Sequence, residues 1–360
     1  MGKIAIIGDP HLGKKNTDKI KKDRILISQD AFYSSLFDYC STNGIDEILW
    51  TGDIFDTQNS IETPIIEYAV KLFNSKLKNF KHHIVVGNHD IFLRDSLDIS
   101  SLACLENLSN VTVYRAMKKV NINNLNILMV PFLVSDISPT FINNIEKIGS
   151  KCDVVFGHFD IIGAKMENGS ASEVGLDMNL LLKNIKMVIS GHYHNISSYK
   201  LVNNVIQYVG TPYQLTFGDA GQPRGFWTLD DKMNLEFIEN TISATFVKTD
   251  IGDIENLPDI SNSFVKCTYP STITSEELFA LNKILEDKRP ISYATEPKQI
   301  ENVSDLGLTT SKEDVVFNDM CDHLVVGDFM GVCDIYIGLE PPKNAKLVKE
   351  LLLDIKKKVK

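Results

Sequence analysis

No two cysteines in this 360-residue sequence are spaced as C-x-x-C, although six are present: Cys40, Cys104, Cys152, Cys267, Cys321 and Cys333. That absence argues against a zinc ribbon and a disulfide framework alike. The thiols read instead as small buried side chains in a reducing cytoplasm. No apolar run is long enough to span a membrane, and the N-terminal MGKIAIIGD meets Asp9 too early for a signal peptide. Myristoylation at Gly2 is disfavoured because Ile6 stands where the motif needs serine or threonine. Excess positive charge is missing too: a formal net charge of -10 argues against coating nucleic acid by bulk charge, but not against engaging phosphate locally through metal ions. No internal repeat or low-complexity tract stands out. What remains is an ordinary globular composition, 43% apolar, with length for two or three domains.

Short runs rich in apolar, β-branched or aromatic residues predict strands at 3–8, 45–51, 82–86, 111–115, 125–132, 153–157, 186–190, 205–209 and 225–229. Residues 24–42 carry Ile25, Ile27, Ala31, Phe32, Leu36, Phe37 and Tyr39 at helical spacing. Early strands alternate with helical patterns, and later ones run without helices between them. This predicts an α/β architecture of two packed sheets with helices outside. Beyond residue 241 the pattern changes to a strand at 264–269, a helix opened by a Thr274/Glu277 capping box and running to about 287, and a strand at 291–295. Residues 296–313 read as a polar linker and 312–325 as a short helix. After Pro341 and Pro342, a stripe of Leu347, Val348, Leu351, Leu352, Ile355 and Val359 forms one apolar helix face.

The strand ends carry the chemistry. VVGNHD at 85–90 closes a buried strand with polar groups, and at the carboxyl edge of an open α/β sheet ligands sit. Gly8-Asp9-Pro10-His11, Gly52-Asp53-Ile54-Phe55-Asp56, Gly157-His158 and Gly191-His192-Tyr193-His194 end other strands in the same manner. Five of the eight histidines lie at these positions, leaving His82, His83 and His323 elsewhere. Each site alone is explained by turn chemistry or a satisfied core histidine, but five coincident strand ends point to a ligand set. Two divalent ions about 4 Å apart need a bridging carboxylate, imidazole and oxygen donors, and open positions for water and a phosphate oxygen. Nitrogen and oxygen donors without thiolate suit Mn²⁺, Fe²⁺ or Zn²⁺ better than Mg²⁺ or Ca²⁺.

The ordered set D-x-H, G-D-x-x-D, G-N-H-D, G-H and G-H-x-H resembles the calcineurin-like metallophosphoesterases. GDIFDT at 52–57 and YVGTPYQLTFGDAGQPRGFW at 208–227 are similar to the SbcD and meiotic recombination eleven nuclease family, in particular its branch encoded by T-even-type bacteriophages. The resemblance covers residues 1 to about 240. It implies a four-layer α-β-β-α sandwich over 1–240, a small α+β capping domain for DNA at 241–300, and a linker with C-terminal helices over 301–360. Carried over by position, it makes Asp9, His11 and His194 ligands of one metal and Asn88, His158 and His192 ligands of the other, with Asp53 bridging and Mn²⁺ the expected ion. His89 would stay unligated and face the scissile phosphate. Asp56 stands where some relatives have a second histidine, and its carboxylate could hold the His89 imidazolium.

The implied activity is double-strand-break processing, as exonuclease and single-strand endonuclease, in host or bacterial cytoplasm. The implied partners are DNA, an ATPase of the SbcC or Rad-fifty type gripped by the C-terminal helices, and a second copy of the chain, with 61–79 or 92–108 as the dimer segments. The basic stretch KKNTDKIKKDR at 14–24 could track a phosphate backbone or simply be solvated. The 347–359 stripe fits a partner groove or the chain's own core. A phosphatase of small esters and a binding scaffold of the same fold stand as alternatives, although a scaffold would be expected to have lost ligands.

Overall fold

Ile4 and Ile6 face one way from the first strand and Ala5 and Ile7 the other, and all four are fully buried. A strand buried on both faces must lie between two layers. In the computed structural model, which describes residues 2–14, 22–93, 96–132, 139–166 and 169–298, this alternation recurs along every central strand.

The first half of the chain forms β1 (Lys3–Ile7), β2 (Glu47–Trp50), β3 (Lys81–Val85), β4 (Val111–Tyr114), β5 (Lys118–Ile122) and β6 (Leu125–Val130). Then follow β7 (Val154–His158), the two-residue β8 (Ile161–Ile162) and β9 (Leu176–Asp177), β10 (Met187–Gly191), β11 (Ser197–Leu201) and β12 (Asn204–Tyr208). The last are β13 (Gly225–Asp230), β14 (Leu235–Glu239), β15 (Thr245–Asp250), β16 (Ser263–Tyr269) and β17 (Ser292–Pro297). The helices are α1 (Lys22–Thr42), α2 (Thr63–Lys71), α3 (Pro139–Gly149), α4 (Met178–Asn184) and α5 (Ser275–Asp287).

One six-stranded sheet has the order β14-β13-β1-β2-β3-β4 and the other β11-β12-β10-β7-β6-β5. Their inner faces share one cluster, in which Ile4, Ile6, Leu49 and Val85 meet Ile127, Met129, Phe156 and Ile189. The outer face of the first sheet, with Ile7, Ile48, Trp50 and Ile84, packs on Phe32, Tyr33 and Leu36 of α1 and Ala69 of α2. The outer face of the second, with Leu128, Val155, Val188 and Ile206, packs on Ile145 of α3 and on Leu181 and Leu182 of α4. The expected α-β-β-α sandwich results. Each large side chain so buried contributes roughly 1.5–3 kcal/mol. Trp50 is buried at no polar cost, since its Nε1–H donates to His82 Nδ1 at 3.1 Å while His82 Nε2 reaches the Leu77 carbonyl at 2.9 Å.

Two expectations change. The later strands do have helices between them: α3 joins β6 to β7 and α4 precedes β10, because parallel neighbours need a crossover connection. Strands β5, β11 and β14 were not expected. All three are outermost in their sheets, and their exposed, polar faces carry little of the apolar signal that marks a central strand.

After residue 240 the chain forms a third sheet, β15-β16-β17, parallel throughout and packed on α5 through Val265, Cys267, Leu281 and Leu285. Thr274 caps α5 as expected, its Oγ1 accepting from Glu277 N at 3.2 Å while the Glu277 carboxylate accepts from Thr274 N at 2.9 Å. Phe246 and Phe264 pack with Ile25 of α1, and Ser28 accepts hydrogen bonds from the Ser243 hydroxyl and from Ala244 N–H, tying this sheet to the sandwich within the compact unit Met1–Pro297. Among the described residues no helix is long and apolar enough to cross a membrane. The expected helix at 312–325 and the stripe at 347–359 lie outside the described residues, as does most of the basic stretch 14–24, whose last three residues open α1.

Candidate metal centre

Strands β1, β2 and β3 run parallel in the first sheet, as do β7 and β10 in the second, so each set delivers its strand ends to one edge. The two edges meet. The main-chain N–H of His192 donates to Asp9 Oδ2 at 2.6 Å, and His158 Nδ1 lies 2.8 Å from the carbonyl of Thr51, which follows β2. All seven expected ligands and His89 lie in this one cluster. Three of them, His11, Asp53 and His192, adopt positive φ (45°, 48° and 89°), a conformation that costs side-chain-bearing residues about 1–3 kcal/mol and persists where surrounding contacts over-determine it.

Glycine lets the strand ends crowd together. A Cβ on Gly191 would stand 2.1 Å from Asp9 Oδ1, and one on Gly87 would stand 2.2 Å from Asp53 Oδ1. The G in G-N-H-D and in G-H-x-H is therefore room for a carboxylate.

Donor atoms converge in two groups. In the first, the Nε2 atoms of His11 and His194 face each other at 3.0 Å, and Asp9 completes a set whose ligand atoms all lie within 4.8 Å of one another. In the second, Asn88 Oδ1 is 2.7 Å from His158 Nε2 and 2.9 Å from His192 Nδ1, and the two ring nitrogens are 3.2 Å apart. Asp53 Oδ2 lies between the groups, 3.7 Å from His11 Nε2 and 3.4 Å from His158 Nε2. His89 stands edge-on to His11 with ring centroids 4.8 Å apart, close enough for His11, Asp53 and His89 to form another potential ligand set.

Asp56 departs from expectation. Its carboxylate turns to His11 Nδ1 at 3.4 Å and Lys14 Nζ at 3.0 Å, and it is the Asp56 main-chain carbonyl that takes His89 Nδ1 at 2.6 Å. The reason is the main chain between Asp53 and Asp56, where His11 N–H donates to the Asp53 carbonyl, Leu12 N–H to that of Ile54, and Asp56 N–H back to Leu12, pairing it with the Asp9–His11 loop. Lys14, the first residue of the basic stretch, is thus engaged inside the site.

The sequence pointed to Asp90 as the residue that fixes its loop, whereas Thr51, Tyr213, Asp219, Arg224 and Asp160 were not singled out. Thr51 Oγ1 donates to Asp9 Oδ1 at 2.7 Å. Asp90 receives Ile54 N–H and Gly87 N–H, each at 3.0 Å, which locks the second and third strand ends together. Tyr213 OH donates to the Pro10 carbonyl at 2.6 Å, and Arg224 donates to the His194 carbonyl at 2.7 Å while pairing with Asp219 at 2.6 Å. Asp160 accepts from His192 Nε2 at 2.8 Å. Its one legible sign was H-x-D in GHFD, the mirror of D-x-H in DPH.

Burial dominates the electrostatics. It pushes His11 down to about 3, helped by His194 and His89, and holds His158 well below the ordinary imidazole value, helped by His192. Both rings are therefore neutral at pH 7 with lone pairs available. Burial, then the charges of Asp9 and Asp90, drive the Asp53 carboxyl well above its ordinary value. Buried carboxylates that repel one another beside neutral imidazoles lack a positive charge, which a divalent cation would supply. The donor set fits such ions with Asp9, His11 and His194 on one side, Asn88, His158 and His192 on the other, and Asp53 shared.

The model of the calcineurin-like phosphoesterase family matches residues 2–195. The chain is 32% identical over 241 residues to Exonuclease subunit 1 of Enterobacteria phage T4, covering 66% of this chain and 68% of that protein. It is 26% identical over 222 residues to Putative phosphoesterase 244L of Invertebrate iridescent virus 6, covering 61% of this chain and 72% of that one. Among solved structures, wild-type Vps29 of Entamoeba histolytica complexed with zinc aligns at 11% identity with a TM-score of 0.28, covering 66% of this chain and 98% of that one.

Proposed function

Since the chain belongs to the calcineurin-like phosphoesterase family, we propose that it hydrolyses the phosphodiester bonds of DNA as a two-metal nuclease, with Mn²⁺ the preferred ion. The observation that carries the reading is the gathering of Asp9, His11, Asp53, Asn88, His158, His192 and His194 on one edge beside an outward histidine that no expected ligand role uses. The likeness to a phage exonuclease subunit favours DNA over a small ester. When bound, the ions would lower the pKa of a water and offset charge on phosphate oxygens.

The protein's own groups do the rest. Asp53 accepts the His89 N–H at 2.7 Å and so sets the distance between the shared carboxylate and that histidine. With Nδ1–H donating to the Asp56 carbonyl, His89 has Nε2 left for the substrate, where as the imidazolium it would donate to the phosphate or protonate the leaving oxygen. An open polar cavity of about 510 Å³, lined by Asp56, Thr57, Gln58, Asn59, Ser60, Asn88 and His89, gives the substrate strand room on this side.

The sheet of β15, β16 and β17, held against α1, is proposed as the DNA-capping module. Exposed Phe92, Leu93 and Ile99 fall in one expected dimer segment and support self-association. An SbcC-type ATPase is the proposed partner of the 347–359 stripe. The test compares linear DNA with a nitrophenyl phosphate ester in Mn²⁺, with and without such an ATPase. DNA cleavage that the ATPase raises supports the reading, and turnover of the small ester alone overturns it.

A further inference from the structure

We propose that Asp160 is a positioning residue that fixes His192 so that Nδ1, and not Nε2, is the nitrogen offered to the second metal group. The inference concerns how that group is held and rests on the ligand assignment above. Asp160 Oδ1 accepts from His192 Nε2 at 2.8 Å and from the Tyr193 hydroxyl at 3.1 Å. An anionic acceptor at Nε2 requires a proton there, so the tautomer of the neutral ring that it selects has its Nδ1 lone pair facing Asn88 Oδ1 and His158 Nε2.

The carboxylate is itself well placed. Asp160 lies two residues past the end of β7, and its carbonyl receives Leu176 N–H at 2.9 Å, closing the loop that runs from β8 to β9. Gly175, at φ 108°, lies so close that a Cβ there would stand 2.1 Å from that carbonyl oxygen. The loop end thus presses on the residue that orients His192. The other expected ligands are backed differently: His158 leans on a main-chain carbonyl, and the Asp56 carboxylate behind His11 shares its charge with Lys14. Among the described residues Asp160 has no lysine or arginine partner, so its carboxylate is directed at His192 and the Tyr193 hydroxyl alone.

The test uses the full chain with ¹⁵N-labelled histidine, first metal-free, with the His192 signals identified by their loss in His192→Gln. The expected result is a proton on Nε2 in the wild type, mixed tautomers in Asp160→Ala, and the wild-type tautomer retained in Asp160→Asn, whose amide oxygen still accepts. Titration with Mn²⁺ alone should then show one of two sites weakened 10- to 100-fold in Asp160→Ala and less in Asp160→Asn. A proton on Nδ1 in the wild type, an unchanged tautomer in Asp160→Ala, or equal weakening of both sites would overturn the proposal. Absence of DNA cleavage by the wild type would instead sink the nuclease reading and leave the tautomer result standing.

Discussion

Gly191→Ala should cost the protein its first metal while leaving the fold intact. The new Cβ would meet Asp9 Oδ1 at 2.1 Å, Thr51 Oγ1 at 2.5 Å and Thr51 Cβ at 2.8 Å, where side-chain carbons keep at least 3.0 Å. The carboxylate must therefore retreat by about 1 Å, in an interior packed too densely to absorb the shift elsewhere. Retreat bends or breaks the bonds that Asp9 takes from His192 N–H and Thr51 Oγ1–H. Overpacking of this kind costs about 1–3 kcal/mol, which a chain with this much core survives. A displacement of about 1 Å at a reacting centre lowers turnover on the order of a hundredfold, equivalent to about 2.7 kcal/mol. Calorimetric titration with Mn²⁺ should find the site of Asp9, His11 and His194 weakened and the other retained, with circular dichroism unchanged. In Gly87→Ala the Cβ strikes the shared Asp53, at 2.2 Å from Oδ1 and 2.4 Å from its nitrogen, and both sites should go. Wild-type stoichiometry and affinity in both variants would refute the assignment of these carboxylates.

His89→Ala should retain two Mn²⁺ per chain and lose about 10²- to 10⁴-fold in DNA hydrolysis, and metal analysis finding empty sites would show that His89 is a ligand after all. His82 gives a stability signal remote from the site. Burial holds it down to about 4 against an ordinary 6.5, so the unfolded chain binds a proton that the folded one refuses. Stability on its account is full above pH 6.5 and falls as pH drops toward 4, by roughly 3 kcal/mol, which urea titrations of metal-free protein at stepped pH should register and His82→Gln should remove. Asp219→Ala leaves Arg224 buried without its carboxylate and should destabilise by about 3–5 kcal/mol, read as a shifted denaturation midpoint; a change below 1 kcal/mol would mean that the pair is dispensable.

The sequence made the central strands legible because burial on both faces leaves nearly unbroken apolar runs, as in KIAII and EILW. The outermost strands were hidden by the same logic. KKVNI and SSYKL hold their places by main-chain pairing to β6 and β12, and pairing leaves no mark on composition. The expected ligands could be found because each follows the end of a strand, and parallel strands bring distant ends to one edge. The backing groups could not. Nothing in GDIFD says that the Asp56 carboxylate turns to His11 while its carbonyl turns to His89, because that choice depends on pairing between the second strand end and the first. Asp160 was obscured in a similar way, since its partner stands 32 residues further along the chain.

The seven donors are contributed from both halves of the sandwich: Asp9, His11, Asp53 and Asn88 by one sheet, His158, His192 and His194 by the other. Any cation they share is therefore a rivet through the two layers, set at the rim of the apolar filling made by Ile6, Val85, Phe156 and Ile189. Linkage runs in both directions: occupancy at a hundred times the dissociation constant adds about 2.7 kcal/mol per site to cohesion, and whatever pries the layers apart expels the ion. A chelator would then act on this molecule as a mechanical agent as much as a chemical one, unfastening the edge where the substrate has to enter.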